Sequence, residues 1–283
     1  MNNNTGEALE TDTVCIPKGS IIYTPEQQEA YRRKMKNRQE SYFRRKNNEP
    51  LGNFFFIPLE ECFNDISPET VTRLIYLNTF TKYNSSQLML TQRTPMKVTD
   101  LTFVLNVSKS TVIRFLEEAC PYYLTIQGDN LIFTNREIFK KGCFKRGEEY
   151  TEHQKFYIDS VRQLYKSTPI SNHKHLGYLF KLIPFINIEY NIICHNALET
   201  DLEKISLMSM KDFCVKINYD VSHLNRLLDI YRNIYFEVDG HRERFCSITY
   251  DGISKQNAKI FINPHILYCG SNYEKVKILG AFF

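Results

Sequence analysis

Apolar residues recur at helical or strand spacing along most of the chain and divide it into elements. Pro25 and Glu26 open a stretch to about Lys46 filled with Gln, Glu, Arg and Lys, which predicts a helix with little apolar stripe. Asn47 to Gly52 breaks it with Pro50 and Gly52. The FFFIP run that follows predicts a buried strand, and Ser67-Pro68-Glu69 caps a helix whose apolar positions are Val71, Leu74, Ile75, Leu77 and Phe80. A second helical stripe, Phe156, Ile158, Val161, Leu164 and Tyr165, predicts a helical linker over 145–171 that either orients its neighbours or offers a dimer helix.

The same pattern occurs twice. DLTFVLNVSKSTVIRFLE (Asp100–Glu117) overlies DFCVKINYDVSHLNRLLD (Asp212–Asp229) at an ungapped offset of 112, matching Asp100 with Asp212, Asn106 with Asn218, Ser110 with Ser222 and Arg114 with Arg226. Six apolar pairs match as well, from Leu101/Phe213 and Phe103/Val215 to Leu116/Leu228. Further on, FTNREIFKKG (Phe133–Gly142) overlies FINPHILYCG (Phe261–Gly270) at offset 128, so the second copy carries 16 extra residues between the blocks. Upstream, Arg73–Leu77 and Tyr178–Leu182 match loosely.

Each copy reads as helix, turn, helix and β-ribbon. In the first, Asp100–Leu105 turns inward through Leu101, Val104 and Leu105, Asn106-Val107-Ser108 makes the turn, and Ser108 caps a helix burying Val112, Phe115, Leu116 and Ala119. The opposite face carries Lys109, Ser110, Thr111, Ile113 and Arg114, and Gln127-Gly128-Asp129-Asn130 marks a hairpin. In the second, the turn Asn218-Tyr219-Asp220 precedes a helix exposing Ser222, His223, Asn225 and Arg226. Its longer ribbon predicts three strands, Ile234–Val238, Phe245–Tyr250 and Lys259–Ile262, with turns at Asp239-Gly240 and Asp251-Gly252 and the bases His241, Arg242 and Arg244 near the first turn. The predicted fold class is α+β, with tandem winged helix-turn-helix domains at 52–144 and 172–283, the helical linker between them, and residues 1–51 forming a flexible N-terminus with the basic helix.

Charge sharpens the picture. Of a net +4, the segment Tyr31–Lys46 holds eight bases (Arg32, Arg33, Lys34, Lys36, Arg38, Arg44, Arg45, Lys46) against Glu40, leaving −3 for the rest. Such a tract suits a polyanion or a solvated helix face. A helix enters the major groove, where Arg forks onto guanine, Asn onto adenine, and Ser, Thr and Lys hold phosphate. On that chemistry Lys109, Ser110, Thr111 and Arg114 form one reading head, and Ser222, His223, Asn225 and Arg226 another. Arg242 and Arg244 would add contacts from the ribbon, and Arg32, Arg33, Lys34, Lys36 and Arg38 sequence-blind contacts to phosphate.

Other chemistries find little purchase. The 11 glycines include no G-x-x-x-x-G-K-[ST] or G-x-G-x-x-G motif, so no nucleotide loop is expected. Eight cysteines at 15, 62, 120, 143, 194, 214, 246 and 269 form no C-x-x-C pair, which predicts reduced thiols in a cytoplasmic protein. His173 and His175, read as a loop before a helix, and Cys194-His195, read as another loop, make no zinc pattern. Adjacent carboxylates such as Glu60-Glu61, Glu117-Glu118 and Glu148-Glu149 diverge on a helix rather than converge on a substrate. Neither a catalytic site, a metal, a cofactor nor a membrane partner is expected, and no apolar run reaches the roughly 18 residues a span needs.

At SKSTVIRFL, and at INPHILYCG followed by Lys275-Val276-Lys277-Ile278-Leu279, the chain resembles two-unit winged-helix DNA-binding proteins of Gram-positive phages and mobile elements, labelled as transcription regulators or replication proteins and related to RepL-type plasmid initiators. SPETVTRLIYLNTF, LMLTQRTPMKVTDL, FTNREIFKKG, HLGYLFKLIPFINIEYNI and NAKIFINPHILYCG also have counterparts there, covering roughly residues 52–283. RepL-type initiators have one such unit. The resemblance implies binding of double-stranded DNA through the heads named above, in a bacterial host cell. Gene regulation is the leading expectation; initiation at origin repeats and a winged-helix protein adaptor are the alternatives. A homodimer, or docking to transcription or replication machinery, is compatible with all three.

Overall fold

Residues 24–48, 52–61, 63–133, 138–142, 152–238, 240–250, 258–269 and 273–283 are described in the computed structural model, with side chains in the first helix described to Gln39. Residues 1–23 of the expected flexible N-terminus 1–51, the Asp251-Gly252 turn, and Cys15, Cys62 and Cys143 lie outside them. Met1–Arg45 and Lys46–Phe283 are separate compact units. The first contains most of α1 (Pro25–Asn48), in which the described bases Arg32, Arg33, Lys34, Lys36 and Arg38 are exposed. The second is α+β, and its described strands pair in antiparallel twos. No helix among the described residues is long and apolar enough to cross a membrane.

The first copy starts with strand β1 (Phe54–Pro58) and helix α2 (Pro68–Asn78). Ser67 caps α2 by accepting the Thr70 N–H, and Pro68 fills the first-turn position where its missing N–H costs nothing. A 3-10 turn (Val98–Asp100) leads into α3 (Leu101–Val104), then come α4 (Lys109–Ala119) and the hairpin β2 (Leu124–Gln127) and β3 (Asn130–Phe133). Gly128 (φ +61°) takes the first central position of the two-residue turn, a conformation that glycine adopts without strain.

The stretch expected as a helical linker is, where described, a strand and then a helix: β4 (His153–Tyr157) and α5 (Ile158–Ser167). Phe156 belongs to the strand, because all five residues of β4 pair antiparallel with β1, from Phe54 opposite Tyr157 to Pro58 opposite His153. The expected loop at His173-Lys174-His175 is the first turn of α6 (His173–Phe180), and both histidines are buried. The chain continues through α7 (Met210–Lys216), a 3-10 turn (Val221–His223) and α8 (Leu224–Arg232). The second ribbon has four strands rather than three: β5 (Tyr235–Val238) pairs with β6 (His241–Arg244), and β7 (Cys246–Thr249) with β8 (Lys259–Ile262). Helix α9 (Tyr273–Gly280) closes the chain.

The repeat is geometric as well as sequential. Met89 N–H donates to the Phe80 carbonyl at 2.9 Å, and Cys194 N–H to that of Phe185 at 2.8 Å. Lys82 N–H donates to Gln87 and Asn187 N–H to Ile192, both at 2.9 Å. These bonds fix an offset of 105 for the upstream part, the spacing of the loose Arg73–Leu77 match, and they place Cys194 in a ladder rather than a loop. In the ribbon the ladder corrects the sequence register. Leu88 N–H donates to Leu131 and Ile193 N–H to Ile260; Phe133 N–H donates to Ser86 and Ile262 N–H to Asn191. The offset there is 129, not 128, because a slip of one residue would set buried Phe133 over half-buried Phe261 instead of buried Ile262.

The two copies meet across paired elements. β1 lies beside β4, with Phe55 and Phe156 stacked at 5.4 Å between ring centroids. Each of these strands gains an outer neighbour from its own copy's far end, Lys140 on Phe56 and Leu267 on Phe156. Helix α2 packs antiparallel on α6, where Gly177 faces the Pro68 carbonyl and the Thr72 hydroxyl donates to the His173 carbonyl at 2.8 Å. At the offset of 105, Pro68 corresponds to His173 and Thr72 to Gly177, so these two contacts exchange under a two-fold rotation. One hydrophobic core runs through both copies, from Phe55, Leu74 and Phe115 to Phe156, Phe213 and Leu227. Helix α5 has no counterpart in the first copy and straps it to the second: the Tyr165 hydroxyl donates to the Leu105 carbonyl, Arg162 to the Thr79 carbonyl, and Ser167 to the Tyr235 carbonyl.

A Cβ on Gly177 would run into the Pro68 backbone, which no rotamer change relieves. Gly177→Ala is expected to destabilise the fold by about 2 kcal/mol or more, read as a lowered urea midpoint, despite alanine's better helix propensity. An unchanged midpoint would mean the crossing tolerates separation.

Candidate nucleic-acid interface

The turn between α3 and α4 is set by one residue. Asn106 takes φ +52°, its N–H donates to Phe103 at 3.3 Å, and the Val107 N–H donates to Thr102 at 3.2 Å, together capping the end of α3. The second copy repeats this atom for atom: Asn218 also has φ +52°, donating to Val215 at 3.2 Å, and Tyr219 N–H donates to Cys214 at 2.8 Å. Asparagine tolerates the left-handed region better than other residues with a Cβ, which accounts for its presence at both positions.

Beyond the first turn, Ser108 caps α4 by accepting the Thr111 N–H at 3.3 Å. Its hydroxyl also lies 3.0 Å from that of Ser110 and 2.9 Å from that of Thr111, so the three hydroxyls form one local network. Val112, Phe115 and Ala119 are buried and Leu116 half-buried, which turns Lys109, Ser110, Ile113 and Arg114 outward and leaves Thr111 half-buried. In the second copy Asp220 replaces Ser108 and accepts the Ser222 N–H at 2.8 Å, a bond that holds its carboxyl below the usual carboxylate range. Ser222 and His223 sit in the 3-10 turn rather than in α8 itself, and both are exposed, as are Asn225 and Arg226. Neither Arg114 nor Arg226 is held in an ion pair among the described residues. The second head carries an anion where the first carries a neutral hydroxyl.

His241, Arg242 and Arg244 lie along strand β6 rather than only at its turn. Strand alternation puts Arg242 and Arg244 on one face, 4.1 and 6.0 Å from the ring centroid of Tyr235. Glu243 points the other way, accepting from His265 Nδ1 at 2.8 Å and Asn263 Nδ2 at 2.9 Å. Burial opposes the charge on Glu243, but these donors outweigh it and lower its pKa. Tyr235, Asn263 and His265 support this basic edge and escaped sequence reasoning, because only the ladder shows which residues face them. The first hairpin is different: its tip carries Asp129, 3.8 Å from Lys97 Nζ. On α1, Arg32, Arg33, Lys34, Lys36 and Arg38 are all exposed, with Arg33 3.6 Å from Glu29 in a solvent-screened pair.

Two further observations bound the surface. A cleft of about 800 Å³ among Leu59, Glu60, Glu152, His195, Leu198 and Glu199 is acidic and unsuited to a polyanion. His175, buried on α6 near Lys174 and Arg226, has its pKa pushed down to about 4, mainly by burial. No protein-family model, curated protein or solved structure matches this chain.

Asn106→Gly and Asn218→Gly are expected to leave stability nearly unchanged, while Asn106→Ala or Asn218→Ala costs about 1–2 kcal/mol each, as a left-handed alanine must. Calorimetric melting of the four variants separates the cases, and equal losses for Gly and Ala would show that the side chain rather than φ matters. For His175, unfolded chains bind a proton below about pH 6.5 that the native ring accepts only near pH 4. Stability is therefore lost as pH falls across that window, by up to about 3 kcal/mol. Urea titrations at several pH values should show a shallower loss in His175→Gln, and an identical slope would refute the assignment.

Proposed function

We propose that each copy is a winged helix and that the chain binds duplex DNA sequence-specifically, without catalysis, as a transcriptional regulator of a phage or mobile element in a bacterial cytoplasm. The observation that carries this reading is the duplicated turn. Two left-handed asparagines with matching hydrogen bonds each lead into a helix that exposes an arginine at the same position, Arg114 or Arg226, with no ion pair among the described residues. An exposed arginine near a helix N-terminus suits guanine in the major groove, Asn225 suits adenine, and Ile113 suits a thymine methyl. The basic edge of β6 and the bases of α1 would add phosphate contacts.

Initiation of replication would use the same surface and is separated by where the bound site lies: over a promoter, or in an array beside an AT-rich tract. A protein-adaptor reading draws support from Phe103 and Val215, matched residues on α3 and α7 that are 86% and 69% exposed.

Selection of duplex fragments from a random pool in about 150 mM salt should enrich one motif. Arg114→Ala should weaken binding to that motif by about 1–3 kcal/mol and leave random DNA nearly unaffected. Equal loss on both would remove the base-reading role, and an absence of enrichment would favour the adaptor. Replacing Arg32, Arg33, Lys34, Lys36 and Arg38 by Gln should flatten the slope of log K against log salt by about 0.9 per lost phosphate contact; an unchanged slope would show that α1 does not touch DNA.

A further inference from the structure

We infer that one chain, acting as a monomer, reads a site made of two unequal half-sites in inverted orientation. This rests on α4 and α8 being the DNA-reading helices. The argument starts from the exchange of contacts between α2 and α6: Pro68 against Gly177 on one side, His173 against Thr72 on the other. Such an exchange is the mark of a two-fold axis, as between the subunits of a symmetric dimer. The antiparallel pairing of β1 with β4, each flanked by its own copy's far end, has the same relation. Helix α4 packs on α2 and α8 on α6, so the axis that relates α2 to α6 relates the two heads.

A two-fold axis reverses whatever it relates. Heads joined this way meet the two strands of a duplex in opposite senses, and the sequences they read are inverted rather than tandem. Tandem reading would need heads related by translation, with α2 and α6 parallel. The halves are also unequal. Matched positions keep Ser110/Ser222 and Arg114/Arg226 but differ at Lys109/Val221, Thr111/His223 and Ile113/Asn225. The base pair read by the two arginines should therefore recur in both halves while its neighbours differ. A second chain is not required, because the α2 and α6 faces cover each other and α5 straps the halves together.

The test uses the full chain and the duplex obtained by selection. Native mass spectrometry should find one chain per duplex. Reversing either half-site in place should weaken binding about ten-fold or more. Arg114→Ala should make binding insensitive to base changes in one half only, and Arg226→Ala in the other; both residues are exposed, so neither variant should disturb folding. Two chains per duplex, or full affinity for a site with its halves in direct orientation, would overturn the inference and leave DNA reading intact. Failure to select any motif would overturn the DNA reading and the inference with it.

Discussion

Helix α2 lies so close to α6 that a Cβ on Gly177 would meet the Pro68 carbonyl, and most of the larger body follows from that approach. The contact draws β1 and β4 into one ladder and merges what would be two small cores, each short of apolar area, into a continuous one. Each helix of the pair also carries one further helix, α4 on α2 and α8 on α6. The polar groups at the ends of α2 are absorbed locally: Glu118 accepts the Ser67 N–H at its start, and Arg162 and Lys141 donate to the Thr79 carbonyl at its end, where the helix dipole favours cations.

How much of this was legible in the sequence depended on the range of the forces involved. Caps, turns and amphipathic faces are local, and Ser67, Ser108, Gly128 and the stripe of α4 could be read directly from neighbouring residues. The duplication was legible because the matched asparagines and arginines carry the same local geometry. Strand β4 was not, since HQKFY has helix-compatible spacing and becomes a strand only through pairing with β1, about a hundred residues earlier. The register at β8 failed for a similar reason: FTN resembles FIN, but the ladder follows burial of Phe133 and Ile262. His173 and His175 read as a loop before a helix, and only the packing of α6 shows that both rings are buried, which lowers their pKa values.

The candidate site divides along the same line. Arg114 and Arg226 were legible because exposure on a capped helix is a local property. The Tyr235 platform and the Glu243–His265–Asn263 lock beneath β6 were not, because they join residues from separate strands and the turn after β8. The two heads are also less alike than their sequences suggest: the anionic cap at Asp220 and the acid at the tip of the first hairpin leave each copy with one favourable and one unfavourable element for a polyanion.

The pairing of α2 with α6 lies within one polypeptide, which changes how it responds to dilution. Separate subunits joined by such a surface fall apart as their concentration drops, and their function then has a threshold of abundance. Here the tether through β4 and α5 keeps the local concentration of each half around the other constant. The assembled pair is therefore present from the first molecule synthesised.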